Sequence, residues 1–99
     1  MSIKIHSVQF KADKKLEEFI ETKISKLLKR HDNVIGAEVF LKLENTPKDN
    51  NKITEIKIEV PGNDLFAKKQ SRSFEASTDT AVEALRRQLK KQKEKLRGR

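Results

Sequence analysis

The chain has 99 residues, 34% hydrophobic and 38% charged, and its 23 basic against 15 acidic side chains give a formal net charge of +8. That length makes one domain with a thin, largely aliphatic core, since the aromatics are five Phe alone. With no Cys and two His, disulfides, thiolate zinc sites and thiol nucleophiles are excluded, and no apolar run approaches the ~20 residues of a membrane span.

In chain order, Ile3, Ile5, Val8 and Phe10 read as a first strand with a slip of phase around Ser7. From Asp13 to His31 the spacing predicts a helix, with Leu16, Ile20, Ile24, Leu27, Leu28 and His31 at i, i+3, i+4, i+7 positions. Asp13 is its N-cap and Asp32–Asn33 closes it. Glu17, Glu18 and Glu21 crowd its first half, and Lys23, Lys26, Lys29 and Arg30 its second, as the macrodipole favours. Strict alternation from Ile35 to Leu43 predicts a half-buried strand, with Ile35, Ala37, Val39, Leu41 and Leu43 inward and Phe40 among the charges of the other face.

The polar stretch NTPKDNN is a hairpin connection. The next strand, Ile53 to Val60, turns Thr54, Ile56, Ile58 and Val60 inward and Glu55, Lys57 and Glu59 outward. Pro61–Gly62–Asn63–Asp64 is a turn by composition, and Leu65 to Gln70 makes a shorter fourth strand. Ser73 is the N-cap of a last helix whose apolar stripe is Phe74, Thr78, Ala81, Val82, Leu85, Leu89 and Leu96. The βαβββα order predicts an α+β fold: a four-stranded mixed sheet with both helices packed on one face. A single domain spanning 1–99 is expected, ordered over about residues 2–96 with a fraying basic end.

Charge is distributed unevenly. From Arg86 to Arg99 there are eight basic residues and one acid, Glu94, whereas Met1 to Leu85 is close to neutral with 15 basic and 14 acidic residues. Macrodipole complementation by the last turn accounts for one or two of those cations; a concentrated set of eight is suited to holding several phosphates at once. At ~100° per residue, Arg86, Lys90, Lys93 and Arg97 fall along one flank of the apolar stripe, Lys91 and Lys95 toward the other, and Arg87 into solvent. On the first helix Lys23, Lys26 and Arg30 form a shorter basic stripe, so two stripes on one side of the sheet can border a single groove. A solvated face and an acidic protein or membrane partner are the competing readings of the same charges.

Catalysis has little support. The three glycines form no phosphate loop, His6 reads as a strand-surface residue and His31 as a helix-end residue half covering the core. No enzyme activity, cofactor or metal is expected. Phe40 is open between a stacking platform, a partner contact and an ordinary edge-covering residue. MSIKIHSVQF lacks the apolar core of a signal peptide, so a cytoplasmic protein is expected.

With the βαβββα order, VPGNDLFA (Val60 to Ala67) and ALRRQLKKQKEKL (Ala84 to Leu96) resemble the ribosome hibernation-promoting factors, also called ribosome-associated inhibitor Y or sigma-54 modulation proteins. The similarity covers essentially the whole chain. It implies binding to the small ribosomal subunit and its rRNA, in the channel where mRNA and tRNA sit, with translation repressed in stationary phase or starvation. Carried over by motif position, the rRNA-binding residues are Lys23, Lys26, Arg87, Lys91, Lys93 and Lys95; helical geometry adds Arg30, Arg86, Lys90 and Arg97. The resemblance further implies a short form, without the dimerisation domain of long members or the acidic tail of Y-type inhibitors, which leans toward the factor that promotes ribosome pairing. No membrane, no small-molecule substrate and a monomer off the ribosome are expected. Another small rRNA- or double-stranded-RNA-binding protein, or a basic-helix protein adaptor, is the alternative; a translation-rescue factor is disfavoured because Gly-Gly-Gln does not occur.

Overall fold

The computed structural model describes residues 2–8, 10–45 and 49–97, and for 93–97 the backbone alone. Its elements are β1 (Ser2–Val8), α1 (Lys14–Leu28), β2 (Gly36–Leu43), β3 (Lys52–Glu59), β4 (Leu65–Ser71) and α2 (Phe74–Arg97), in the expected βαβββα order. The sheet has strand order β1-β2-β3-β4, with β1 parallel to β2 and the other neighbours antiparallel. β1 and β4 therefore point the same way, and each is followed by a helix that packs back along the same face. As a result α1 and α2 run parallel to each other.

The pleat sorts the side chains. Ala37, Val39 and Leu41 of β2 and Thr54, Ile56 and Ile58 of β3 are buried against Ile20, Ile24, Leu27 and Leu28 of α1 and Ala81, Val82, Leu85 and Leu89 of α2. Asp13 caps α1, its carboxylate accepting the Leu16 N–H at 2.8 Å, and Ser73 caps α2, its hydroxyl accepting the Ala76 N–H at 3.0 Å. Thr54 enters the core with its polar atom satisfied: its hydroxyl lies 2.6 Å from that of Ser77 and 3.3 Å from that of Thr78, which ties β3 to the first turns of α2. Gly62 takes φ 92° in the β3–β4 turn, the left-handed region that glycine enters without a Cβ penalty.

Three expectations change at element ends. Phe10 lies outside β1: the strand stops at Val8, the Ser7 hydroxyl accepts the Ala12 N–H at 3.3 Å as the chain bends, and Phe10 stacks on Phe74 at 5.0 Å to close one end of the core. Helix α1 ends at Leu28 and not at His31. Lys29 is its C-cap, and the His31 N–H reaches the Leu28 carbonyl at 3.0 Å, so the predicted last turn is a tight non-helical one. Ile35 and Leu43 have the parity of the buried β2 residues but are 60% and 39% exposed, because the helices cover only the middle of that strand. Residues 46–48 of the expected hairpin connection lie outside the described residues.

Helix α2 is the longest element, with 24 residues spanning about 36 Å against about 25 Å for a strand. It runs past the sheet and gives the molecule its long axis, 49 × 23 × 19 Å.

Candidate nucleic-acid interface

Parallel packing of the helices determines where the charges go. Near their N-terminal halves Lys23 of α1 meets Asp79 of α2 at 3.0 Å, so one residue of the expected basic stripe is already ion-paired. Two turns further on the acids run out. Lys26, Lys29 and Arg30 from α1 and its C-terminal turn face Arg86 and Lys90 of α2 across a cleft of about 610 Å³, with buried Leu27 in its wall. Leu85 and Leu89 anchor this part of α2 in the core, and the adjacent positions 86 and 90, one turn apart, project toward α1. His31, half-buried, completes the lining.

The cleft is electrostatically unusual for this molecule. Arg86 is held by Glu83 one turn back at 2.9 Å, but among the described residues no acid lies within ion-pair distance of Lys26, Lys29, Arg30 or Lys90. Helix α1 ends at this cleft, and the negative end of its macrodipole offsets part of the mutual repulsion. The cationic groups here are N–H donors on exposed side chains, suited to phosphate oxygens and not to acid–base chemistry.

The remaining sequence-derived residues divide cleanly. Arg87 and Lys91 are exposed on other sides of α2, and Arg87 Nε approaches the Glu83 carbonyl at 3.5 Å. Lys91 follows by one turn Gln88, whose amide donates to the Phe66 carbonyl of β4 at 3.0 Å, so it belongs to the flank over the sheet edge. The side chains of Lys93, Lys95 and Arg97 lie outside the described residues. Lys29 and His31 were not among the expected site residues; Lys29, the helical C-cap three residues after Lys26, could have been found by its i, i+3 spacing, whereas His31 lies past the helix and had adjacency to Arg30 as its signal.

The opposite face of the sheet is built differently. His6 Nε2 lies 2.8 Å from Glu38 Oε2, Lys57 lies 3.6 Å from the other Glu38 oxygen, and Lys42 is 3.0 Å from Glu55. Phe40, at the centre of this face, stacks on the His6 ring at 4.9 Å with 17° between planes. The His6 hydrogen bond, with Lys57 beside it, holds the Glu38 carboxyl below its ordinary 4.5 in spite of some desolvation.

Among the described residues no cluster of His, Asp and Glu is arranged to hold a metal, and no helix is long and apolar enough to cross a membrane. What remains is a small α+β domain with a cationic cleft between the end of α1 and the middle of α2. The chain belongs to the family described as sigma 54 modulation protein / S30EA ribosomal protein, whose model matches residues 3–97. A ribosome hibernation promoting factor of Pseudomonas putida is 26% identical over 95 residues, which cover 96% of this chain and 89% of that protein. Among solved structures, a ribosomal subunit interface protein from Coxiella burnetii superposes with a TM-score of 0.83 at 22% identity, over 94% of this chain and 98% of that one. The N-terminal domain of Thermus thermophilus Protein Y superposes with a TM-score of 0.78 at 24% identity, over 92% and 98%. At those identities the two structures establish a shared fold.

Proposed function

We propose that this protein is a ribosome hibernation factor that binds rRNA of the small subunit in the decoding channel, excludes mRNA and tRNA, and so represses translation in cells that have stopped growing. The observation that carries the reading is the cleft in which Lys26, Lys29, Arg30, Arg86 and Lys90 converge, joined to membership of the family. The hibernation factor of Pseudomonas putida supports the same reading over nearly the whole chain. Binding is dominated by phosphate contacts and RNA shape. The protein acts in the cytoplasm, as a monomer until it meets the ribosome, and without catalysis.

The experiment is competition on isolated small subunits: saturating protein should displace P-site tRNA and block mRNA-directed synthesis in vitro. Full tRNA occupancy alongside bound protein would remove the decoding channel from the proposal. Sedimentation of stationary-phase lysates separates the alternatives, because a hibernation factor travels with intact or paired inactive ribosomes, a constitutive ribosomal protein is also found in growing polysomes, and an adaptor stays at the top of the gradient.

A further inference from the structure

The cleft between α1 and α2 has a shape and charge density beyond what a flat RNA-binding surface requires. Its volume of about 610 Å³ falls within the ~300–1,000 Å³ of small-molecule sites. Lys26, Lys29, Arg30, Arg86 and Lys90 border it, and of these five only Arg86 has an acid within ion-pair distance among the described residues. Elsewhere the pattern is the reverse. Lys23, Lys42 and Lys57 are each bridged by a carboxylate.

Like charges collected in a concavity repel one another, and the same concavity focuses their field on whatever enters. One strand of a double helix offers about one negative charge per 3.4 Å of axis, spread along a line. A chain of phosphates joined through shared oxygens delivers several charges within one small volume, which is the closer match to five cations facing a common space.

We propose that this cleft is a discrete site for linked phosphates, supplied by a nucleoside polyphosphate or by inorganic polyphosphate, and that its occupant competes with RNA for Arg30, Arg86 and Lys90. The regulatory part rests on the reading of the helices as an RNA-binding surface. The binding part does not. Lys29 and His31 thereby gain a place in the site, the first as a phosphate donor and the second as part of its wall.

The test is a titration of isotope-labelled full-length protein, followed by calorimetry and amide chemical shifts in metal-free buffer. The probes are tripolyphosphate, ATP, orthophosphate and sulfate at matched ionic strength. Tripolyphosphate and ATP should each bind at a single site, about tenfold tighter than orthophosphate, with shifts concentrated on Lys26–His31 and Arg86–Lys90. Equal affinities for the two assign the site to the phosphate chain alone, whereas tighter ATP assigns it to a nucleotide. The double variant Arg30→Gln/Lys90→Gln changes two exposed side chains and should weaken tripolyphosphate about tenfold, while Lys68→Gln/Lys69→Gln changes it by less than about twofold.

The inference is overturned if tripolyphosphate binds no tighter than orthophosphate, if shifts spread equally to Lys68, Lys69 and Arg72, or if both double variants lose equal affinity. In the competition arm, tripolyphosphate should release a labelled rRNA hairpin at concentrations that track its own affinity. Release matched by sulfate at the same ionic strength would overturn the regulatory part. Absence of tripolyphosphate binding by the parent protein, with its ribosome binding intact, refutes this inference alone, and the converse result refutes the ribosomal reading alone.

Discussion

The cleft between the helices and the open face of the sheet are both rich in ionisable side chains, but they pair them in opposite ways. On the sheet face His6, Glu38 and Lys57 form a connected set, and Lys42 is answered by Glu55. In the cleft Lys26, Lys29, Arg30 and Lys90 face one another without an acid among the described residues. A surface that has already neutralised its charges has little electrostatic free energy left to offer a polyanion. One that has not offers counterion release and charge-assisted hydrogen bonds. In the proposed reading this difference puts the binding side at the cleft, and it separates local arrangement from net charge.

The strongest way to break the comparison is to remove equal charge from the two sides. The triple variant Arg30→Gln/Arg86→Gln/Lys90→Gln should weaken ribosome binding about a thousandfold, ~4 kcal/mol, and lower the slope of log K against log salt by roughly 2–3. Lys4→Gln/Lys57→Gln/Lys68→Gln, on the face of the sheet away from the helices, should stay within about threefold of the parent. Filter binding over a salt series reads both, and equal losses would mean that only total charge matters.

Stability should divide along the same line. Leu85, fully buried beneath the cleft, should cost ~2–5 kcal/mol as Leu85→Ala, whereas Phe66→Ala, half exposed at the sheet edge, should cost less than about 1 kcal/mol. Urea denaturation with similar midpoints for the two would show that the helical side is not the stability-determining side. Thr54→Val sharpens the point inside the core: it deprives Ser77 and Thr78 of their hydroxyl partner, for an expected ~1–2 kcal/mol, and Thr54→Ser should recover part of that.

The smallest effect belongs to the sheet face. A carboxyl whose folded pKa lies below its ordinary value stabilises the fold above the ordinary carboxylate range and loses that contribution as pH falls through the depressed value. Glu38→Gln should therefore lower the melting temperature slightly at neutral pH, with the gap to the parent closing in acid. A gap that widens in acid would have the wrong sign for the His6–Glu38–Lys57 set.

Most of the architecture could be read in the chain because it is local. Asp13 and Ser73 announce helix starts by cap chemistry, and alternation through Ala37, Val39 and Leu41 or Ile56, Ile58 and Val60 follows from the pleat. Ends were harder to read. His31 continues a helical period although the backbone has left the helix after Leu28, and Ile35 and Leu43 continue a strand period past the cover of the helices.

Sequence by itself determined the element order, the parity of the buried residues and the basic stripes of Lys26 and Arg30, and of Arg86 and Lys90, since each depends on spacing within one segment. Tertiary structure decided what those stripes became. Parallel packing of α1 against α2 set Lys23 against Asp79, 56 positions away, which removed one cation by pairing, and brought the next ones together as a cleft. It also drew Lys29 and His31 into the lining after the helix had ended. The spacing of residues along one helix specifies a face, but which face of another helix it meets is set by the sheet that both helices pack against.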